Sequence, residues 1–469
     1  MTTHTNTLTR RPSPVTRWFD RAAGAAAAIA LACLASTATA QADEQFTVIK
    51  AGRIITVSGE EITDGEIVIV DGKVRLVGRN LEYPAAATVI DARRQTVMPG
   101  MIHLRSRAGL PGYTRSGVHT DWHVNDELYL DEIDFSEHLR HGFTSVCLMP
   151  AGTGLPGMSA VYRTAGPRES RLLQKDAYLR VTMSNTGTDK PVLRGAIRKA
   201  KEEIAKVAKA RQEWEEKRRA EQQQQQQQQQ GGQSGGTGGG GSGGAGSGAA
   251  PTQQPPQPQP GQQPPAPPAT PAQFTPPAID KSHEPLMNLI EKKAAHPLVL
   301  EVSSASDVLH AFDVLKEEPN LPVRMYVGVR SQSNDLHYVL PLLAERKTPL
   351  LVEPFISSIA ETTIRFNLPA ELAANGCDIT FVPPSDASVS MRNFRATTAD
   401  VVRAGLPRNI AIKALTLNQA RFVGLDSRLG TIEKGKDADL IFLDGDVLDP
   451  ASRVKRVMVG GEIVWEDTK

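Results

Sequence analysis

The chain has 469 residues, enough for one large domain and a smaller one, and 53 Lys+Arg against 52 Asp+Glu leave a formal net charge of +1. That balance gives no field to attract nucleic acid or an anionic membrane, and no basic stripe interleaved with aromatics compensates. The three cysteines have neither Cys-x-x-Cys nor Cys/His spacing, which argues against structural zinc.

The N-terminus reads as an export signal over residues 1–40. Arg10, Arg11, Arg17 and Arg21 precede the apolar run 22–35, and Ala38-Thr39-Ala40 offers a small-residue cleavage site. The apolar run is too short to anchor in a bilayer. Cleavage after Ala40 predicts a periplasmic or otherwise secreted protein with no membrane span. Cys147 and Cys377 then remain, both in apolar strand-like contexts, as a disulfide or as two buried thiols.

Residues 46–97 carry β-rich runs in which Val and Ile alternate, and Asp71-Gly72 marks a hairpin turn. A matching pair lies at 438–444 and 454–465, with Gly460-Gly461 at its turn. These ends predict one β-sandwich domain built from 41–98 and 423–469.

The middle alternates strands and helices, which predicts an α/β fold with a parallel sheet. Strands are expected at 144–148, 177–183, 298–302, 323–327, 350–352 and 379–382, with helical patterns between them at 304–317 and 336–346. A charged, periodic helix is expected over 196–221. It is followed by nine glutamines and then Gly/Ser- and Pro/Gln-rich tracts. Residues 222–278 cannot bury enough apolar surface to offset their ordering entropy and are expected to form a disordered insert. About 260 residues remain between 104 and 422 without it, near the ~250 of a TIM-type (β/α)8 barrel. The domain is thus expected over 99–422; a doubly wound sheet is the alternative, but no Gly-x-Gly-x-x-Gly loop supports it.

The segment from Ser385 through ALTLNQAR to RLGTIEKGKDADLIFLDGD resembles the amidohydrolase superfamily, its imidazolonepropionase-like branch above all. So does the opening pattern that leads from AGRIITVSG to MPGMI. The resemblance covers nearly the whole chain after residue 40 except the insert. It implies a (β/α)8 barrel with an appended β-sandwich, hydrolysis of non-peptide C–N bonds such as cyclic amides, and one or two divalent metals at the strand ends.

The positions implied by the resemblance carry altered residues. On the first barrel strand, His103 stands at the family's aspartate, while Arg105 and Arg107 stand at the His-x-His pair. Residues two apart share a strand face, so these three are expected to line the barrel interior. A guanidinium has no available lone pair and cannot ligate a cation. Glu301 replaces the next histidine, and Val327-Gly328-Val329 the one after; Asp386 alone matches in type, at the catalytic and metal-binding aspartate. Arg105, Arg107, Glu301 and Asp386 are expected to converge as a neutralised charge cluster in which His103 joins the ligand-binding set.

Other constellations carry less. His119 and His123 with Asp121 and Asp126, or His138 with His141, are candidate displaced metal sites; the first pair requires a helix, and His141-Gly142 reads as a helix end. Ser385 lacks a nucleophile elbow and Cys147 an adjacent histidine.

Three readings follow. One is a non-catalytic homologue without a metal cofactor that binds a small anionic ligand or pairs with an active relative or with itself. Another is an active amidohydrolase with an altered site, using zinc if the family chemistry survives. The third is an envelope scaffold that makes contacts through the insert.

Overall fold

The computed structural model describes residues 45–183, 187–231, 273–328, 333–359 and 361–468. The expected export signal and residues 232–272 of the insert lie outside them. In chain order, β1 (Phe46–Ile54), β2 (Ile62–Val70), β3 (Lys73–Gly78) and β4 (Thr88–Pro99) precede the barrel strands. Those are β5 (Met101–Ser106), β6 (Phe143–Leu148), β7 (Gly157–Met158), β8 (Ala160–Arg163), β9 (Leu179–Thr182), β10 (Leu298–Val302), β11 (Val323–Val327), β12 (Leu350–Val352) and β13 (Ile379–Phe381). The chain ends on β14 (Leu440–Leu443), β15 (Val454–Val459) and β16 (Glu462–Glu466).

Both ends of the chain share one seven-stranded sheet, in the order β16-β15-β14-β4-β1-β2-β3. The alternation of Val and Ile places Ile49, Ile54, Ile67, Ile69, Val97, Leu440 and Phe442 in one buried cluster, which fits the expected β-sandwich. Asp71 and Gly72 turn β2 into β3 with φ of 51° and 74°, and Gly460 and Gly461 do the same between β15 and β16.

The sheet is tied to the barrel by charge. Arg163, at the end of β8, is buried and donates to Asp437 at 2.7 Å and to Asp439 at 3.1 Å. Asp437 also takes Arg428 and Lys73, each at 2.7 Å. The KDAD run of the sequence is therefore a buried acidic anchor between the two parts of the fold.

The barrel strands differ from an eightfold βα repeat. β5 pairs parallel with β6, and β9 to β13 pair parallel in sequence. Between β6 and β9 runs a bent strand, β7–β8, antiparallel to both neighbours. Only residues 149–156 join β6 to β7, too few for the helical crossover that a parallel strand requires. At the other flank, Gln419 bridges β5 and β13: its Oε1 accepts from Ile102 N at 2.7 Å and its Nε2 donates to Phe381 O at 2.9 Å. The fold is α/β of the TIM-barrel type, with an antiparallel element in the third strand position.

Helix α1 (Ser136–Arg140) precedes β6, and α2 runs from Asp189 to Gly231. The glutamine tract at 222–230, expected as the start of a disordered insert, continues α2. Glutamine is a good helix former, and extending an existing helix avoids the cost of nucleation. Helix α3 (Ala305–Leu315) starts at Ser304 with a reciprocal capping box to Asp307, and α4 (Ser388–Arg403) follows β13. No helix among the described residues is long and apolar enough to cross a membrane. Cys147 and Cys377 are both buried and free, and burial raises the Cys147 thiol to about 12.

Candidate active site at the strand ends

Alternation along β5 sets the first contrast with expectation. Ile102 and Leu104 join the inner cluster with Val299, Tyr326 and Leu351. His103 lies on the opposite face, fully buried against Phe143 and His138. The pairing of β5 with β6 shifts register between His103 and Ser106. This irregularity brings Arg105 over the ring of inward-facing Tyr326, 3.6 Å from its centroid. Arg107 lies beyond the strand end and its Nη2 donates to Pro111 O at 2.9 Å. The three residues expected to share the interior face therefore separate into three environments.

Arg105 and Glu301 do meet, with a partner not foreseen. Glu301 Oε2 accepts from Nε and Nη2 of Arg180 at 3.1 and 2.6 Å, and Oε1 faces Nη2 of Arg105 at 3.4 Å. Arg180 Nη1 is held by the carbonyls of Pro150 and Gly152, at 2.9 and 3.1 Å. These groups line a cavity of 520 Å³ together with Tyr326 and Glu353. The Tyr326 hydroxyl donates to Glu353. Burial raises the Glu353 carboxyl, against the opposing influence of Tyr326 and Arg105, and burial also raises the Tyr326 phenol. Among the described residues, Nε and Nη1 of Arg105 have no hydrogen-bond partner, so the cavity presents donors of a charged group to whatever enters it.

Asp386 belongs to a second cluster, outside that cavity's lining. Its Oδ2 accepts from Arg107 N at 2.7 Å, and its Oδ1 lies 3.5 Å from the Nε2 atoms of both His103 and His138. Burial opposes its ionisation, but His138, His103 and the Arg107 amide hold the carboxyl down at about 2. Burial lowers His103 to about 4, despite Asp386 beside it. His103 Nδ1 accepts from Arg105 N at 3.3 Å, which leaves the ring proton on Nε2, facing Asp386 and Ser385 O.

These side chains do not fit the family's divalent metal. Two of the ligand positions carry guanidinium groups, Glu301 is clamped by Arg180, and His103 presents a proton rather than a lone pair to Asp386. Among the described residues no three His, Cys, Asp or Glu side chains are grouped to hold a metal ion. His119 and His123 are not brought together: His123 Nδ1 pairs with Asp176 at 2.5 Å, while His119 Nε2 bonds to Ser116 O at 3.0 Å. His141 lies 3.6 Å from Glu137. Ser385 bonds Ser390 at 2.9 Å, with no nucleophile geometry.

Comparison with known proteins agrees with the architecture. The amidohydrolase family model matches residues 369–464, which run from the helix before β13 to β16. The bovine N-acetylglucosamine-6-phosphate deacetylase is 33% identical over 85 residues, 18% of each chain. The imidazolonepropionase of Thermoplasma volcanium is 37% identical over 65 residues, 13% of this chain and 16% of that one. The match thus spans under a fifth of either relative's length. A solved amidohydrolase from Thermotoga maritima superposes with a TM-score of 0.64 at 20% identity, over 90% of this chain and all of that one.

Proposed function

Because this chain belongs to the amidohydrolase superfamily, we propose that it is an exported, non-catalytic homologue that binds a small anionic ligand at the strand ends. The observation that carries the reading is the state of Glu301 and Arg105. Arg180 neutralises Glu301, and Arg105, braced on Tyr326, keeps donors in the 520 Å³ cavity that are unpaired among the described residues. A carboxylate entering the cavity would meet the forked guanidinium, and the arrangement offers nothing that would generate a metal hydroxide. The purified protein is therefore expected to carry no stoichiometric zinc, manganese or iron and to turn over no amide, lactam or hydantoin. It should gain thermal stability from dicarboxylates in a screen, and Arg105→Ala should abolish that gain. Stoichiometric metal lost on Asp386→Ala, together with turnover, would overturn the proposal.

The Asp386 cluster favours a second reading, turnover by an altered site. A carboxylate flanked by two buried imidazoles has the parts of a proton relay. Under this reading Asp386→Asn abolishes a measurable hydrolysis and Arg105→Ala changes KM.

A further inference from the structure

A second cavity, of 490 Å³, lies away from the strand-end site, where α1 and α4 meet β15, β16 and the loop after β14. Its wall carries Arg140, His141, Arg392, Arg395 and Arg453, with Asp449 and Asp467 as the acidic members. We propose that this cavity is a binding site for a phosphate group.

Charge accounting comes first. Asp467 is occupied by Lys455 at 2.6 Å, and Asp449 accepts from Ala451 N at 2.9 Å. Arg140 is paired with Glu137 at 2.7 Å. Neither Arg392 nor Arg453 has a carboxylate within ion-pair distance among the described residues, although both line the cavity. Arg395 is anchored by carbonyls alone, Val447 O at 3.3 Å and Ser452 O at 2.7 Å. Its burial weakens the charged form, and Asp444 and Asp449 only oppose that effect from a distance. Among the described residues, Arg392, Arg395 and Arg453 thus share Asp449 as the lining carboxylate not taken by another cation, which leaves the wall with an excess of positive charge.

Unmet hydrogen bonding points the same way. His141 and Ser452 both line the cavity, and His141 Nε2, 3.6 Å from Glu137, and Ser452 Oγ are buried without a hydrogen-bond partner. Buried polar atoms of this kind cost free energy unless something satisfies them. A tetrahedral oxyanion offers several acceptor oxygens to guanidinium forks, a hydroxyl and an imidazole N–H at once, which a single carboxylate does less completely. Trp465 completes one side of the wall and gives an apolar surface for an organic group attached to the phosphate.

The test is titration of the purified protein with inorganic phosphate and, separately, with phenyl phosphate, followed by calorimetry. Arg392→Gln and Arg453→Gln each remove a charge that holds no ion pair, so the fold should survive, and each should weaken phosphate binding by about tenfold. Titrations in the Arg105→Ala background remove anion binding at the strand-end cavity and so report this site alone. Tighter binding of phenyl phosphate that is lost in Trp465→Ala would assign the site to an organic phosphate, and equal binding would assign it to the free ion. No binding of either probe at about 10 mM, or binding unchanged in the Arg392→Gln/Arg453→Gln double variant, would overturn the proposal.

Discussion

Both Nε and Nη2 of Arg180 donate to one oxygen of Glu301, at 3.1 and 2.6 Å, which fixes the carboxylate in the wall of the strand-end cavity. The Glu301 side chain is 17% exposed, and those of Arg105 and Arg180 are 14% and 11%. Glu301→Ala would leave two largely buried guanidinium groups without their shared counter-charge. A loss of about 3 kcal/mol is expected, the low end for breaking a buried ion pair. The fall in the midpoint of guanidinium denaturation measures it. A Glu301→Gln variant should lose nearly as much, because the amide keeps the shape and not the charge.

Arg180 shows where sequence reasoning stops. Its strand was expected at 177–183, and the structure forms it from Leu179 to Thr182. A lone arginine between Leu179 and Val181 is the only local signal, and it names no partner. Glu301 is 121 residues away. His138 is similar: it sits on a five-residue helix, and its pairing with Asp386 requires the barrel to form first. The strands at 298–302, 323–327 and 350–352 were legible because apolar runs bounded by turns report strands directly. The β7–β8 strand was not, since Gly157 and Ser159 break its apolar run and its pairing depends on a short connection.

Restoring the family's histidines should not restore a metal. In Arg105→His/Arg107→His the imidazole at 105 would face Glu301 that is still clamped by Arg180, while that at 107 would stand beyond the strand end beside Pro111. The double variant is expected to bind no stoichiometric zinc by mass spectrometry of the dialysed protein. One equivalent of zinc per chain would show that the remaining positions are still competent.

The His103 environment sets a pH window. Burial depresses its pKa to about 4 from an ordinary 6.5, so between these values the unfolded chain binds the extra proton. Stability is therefore full above pH 6.5 and falls as the pH drops towards 4, by about 3 kcal/mol for a shift of this size. Asp386, held at about 2, adds a further loss only below its ordinary 3.8. Because His141 and His296 are also lowered by burial and contribute in the same direction, the readout is a difference. His103→Asn should flatten the slope of denaturation midpoint against pH between 6.5 and 4, and an unchanged slope would contradict the assignment.

The buried anchor between barrel and sheet should be non-additive. Arg163→Met leaves Asp437 with Arg428 and Lys73 but strips Asp439 of its ion-pair partner, with the Gly460 N–H at 2.7 Å still bonded to its carboxylate. Asp439 is fully buried, and burial already raises its carboxyl. The double variant Arg163→Met/Asp439→Asn should be less destabilised than the sum of the single variants, by about 1–3 kcal/mol. A coupling near zero would mean that the pair acts through separate neighbours.

Gln419 makes the last case, because its side chain takes the place of a strand ladder. Strand β5 and strand β13 are not paired by backbone hydrogen bonds, yet Ile102 N and Phe381 O are both buried. A single amide meets both, accepting from one at 2.7 Å and donating to the other at 2.9 Å. An ionised glutamate lacks the donor, leucine lacks both groups, and methionine offers only a weak acceptor. Gln419→Leu conserves volume but orphans a buried N–H and a buried C=O, at a cost of about 2–4 kcal/mol. Gln419→Glu orphans the carbonyl and buries a charge when ionised, so its cost should grow as the pH rises. Hydrogen exchange at the Ile102 amide is the direct readout. It should accelerate in Gln419→Leu beyond the change seen at Leu300, whose strand is paired on both sides. Equal acceleration at the two amides would mean that the variant loosens the whole barrel rather than the β5–β13 seam.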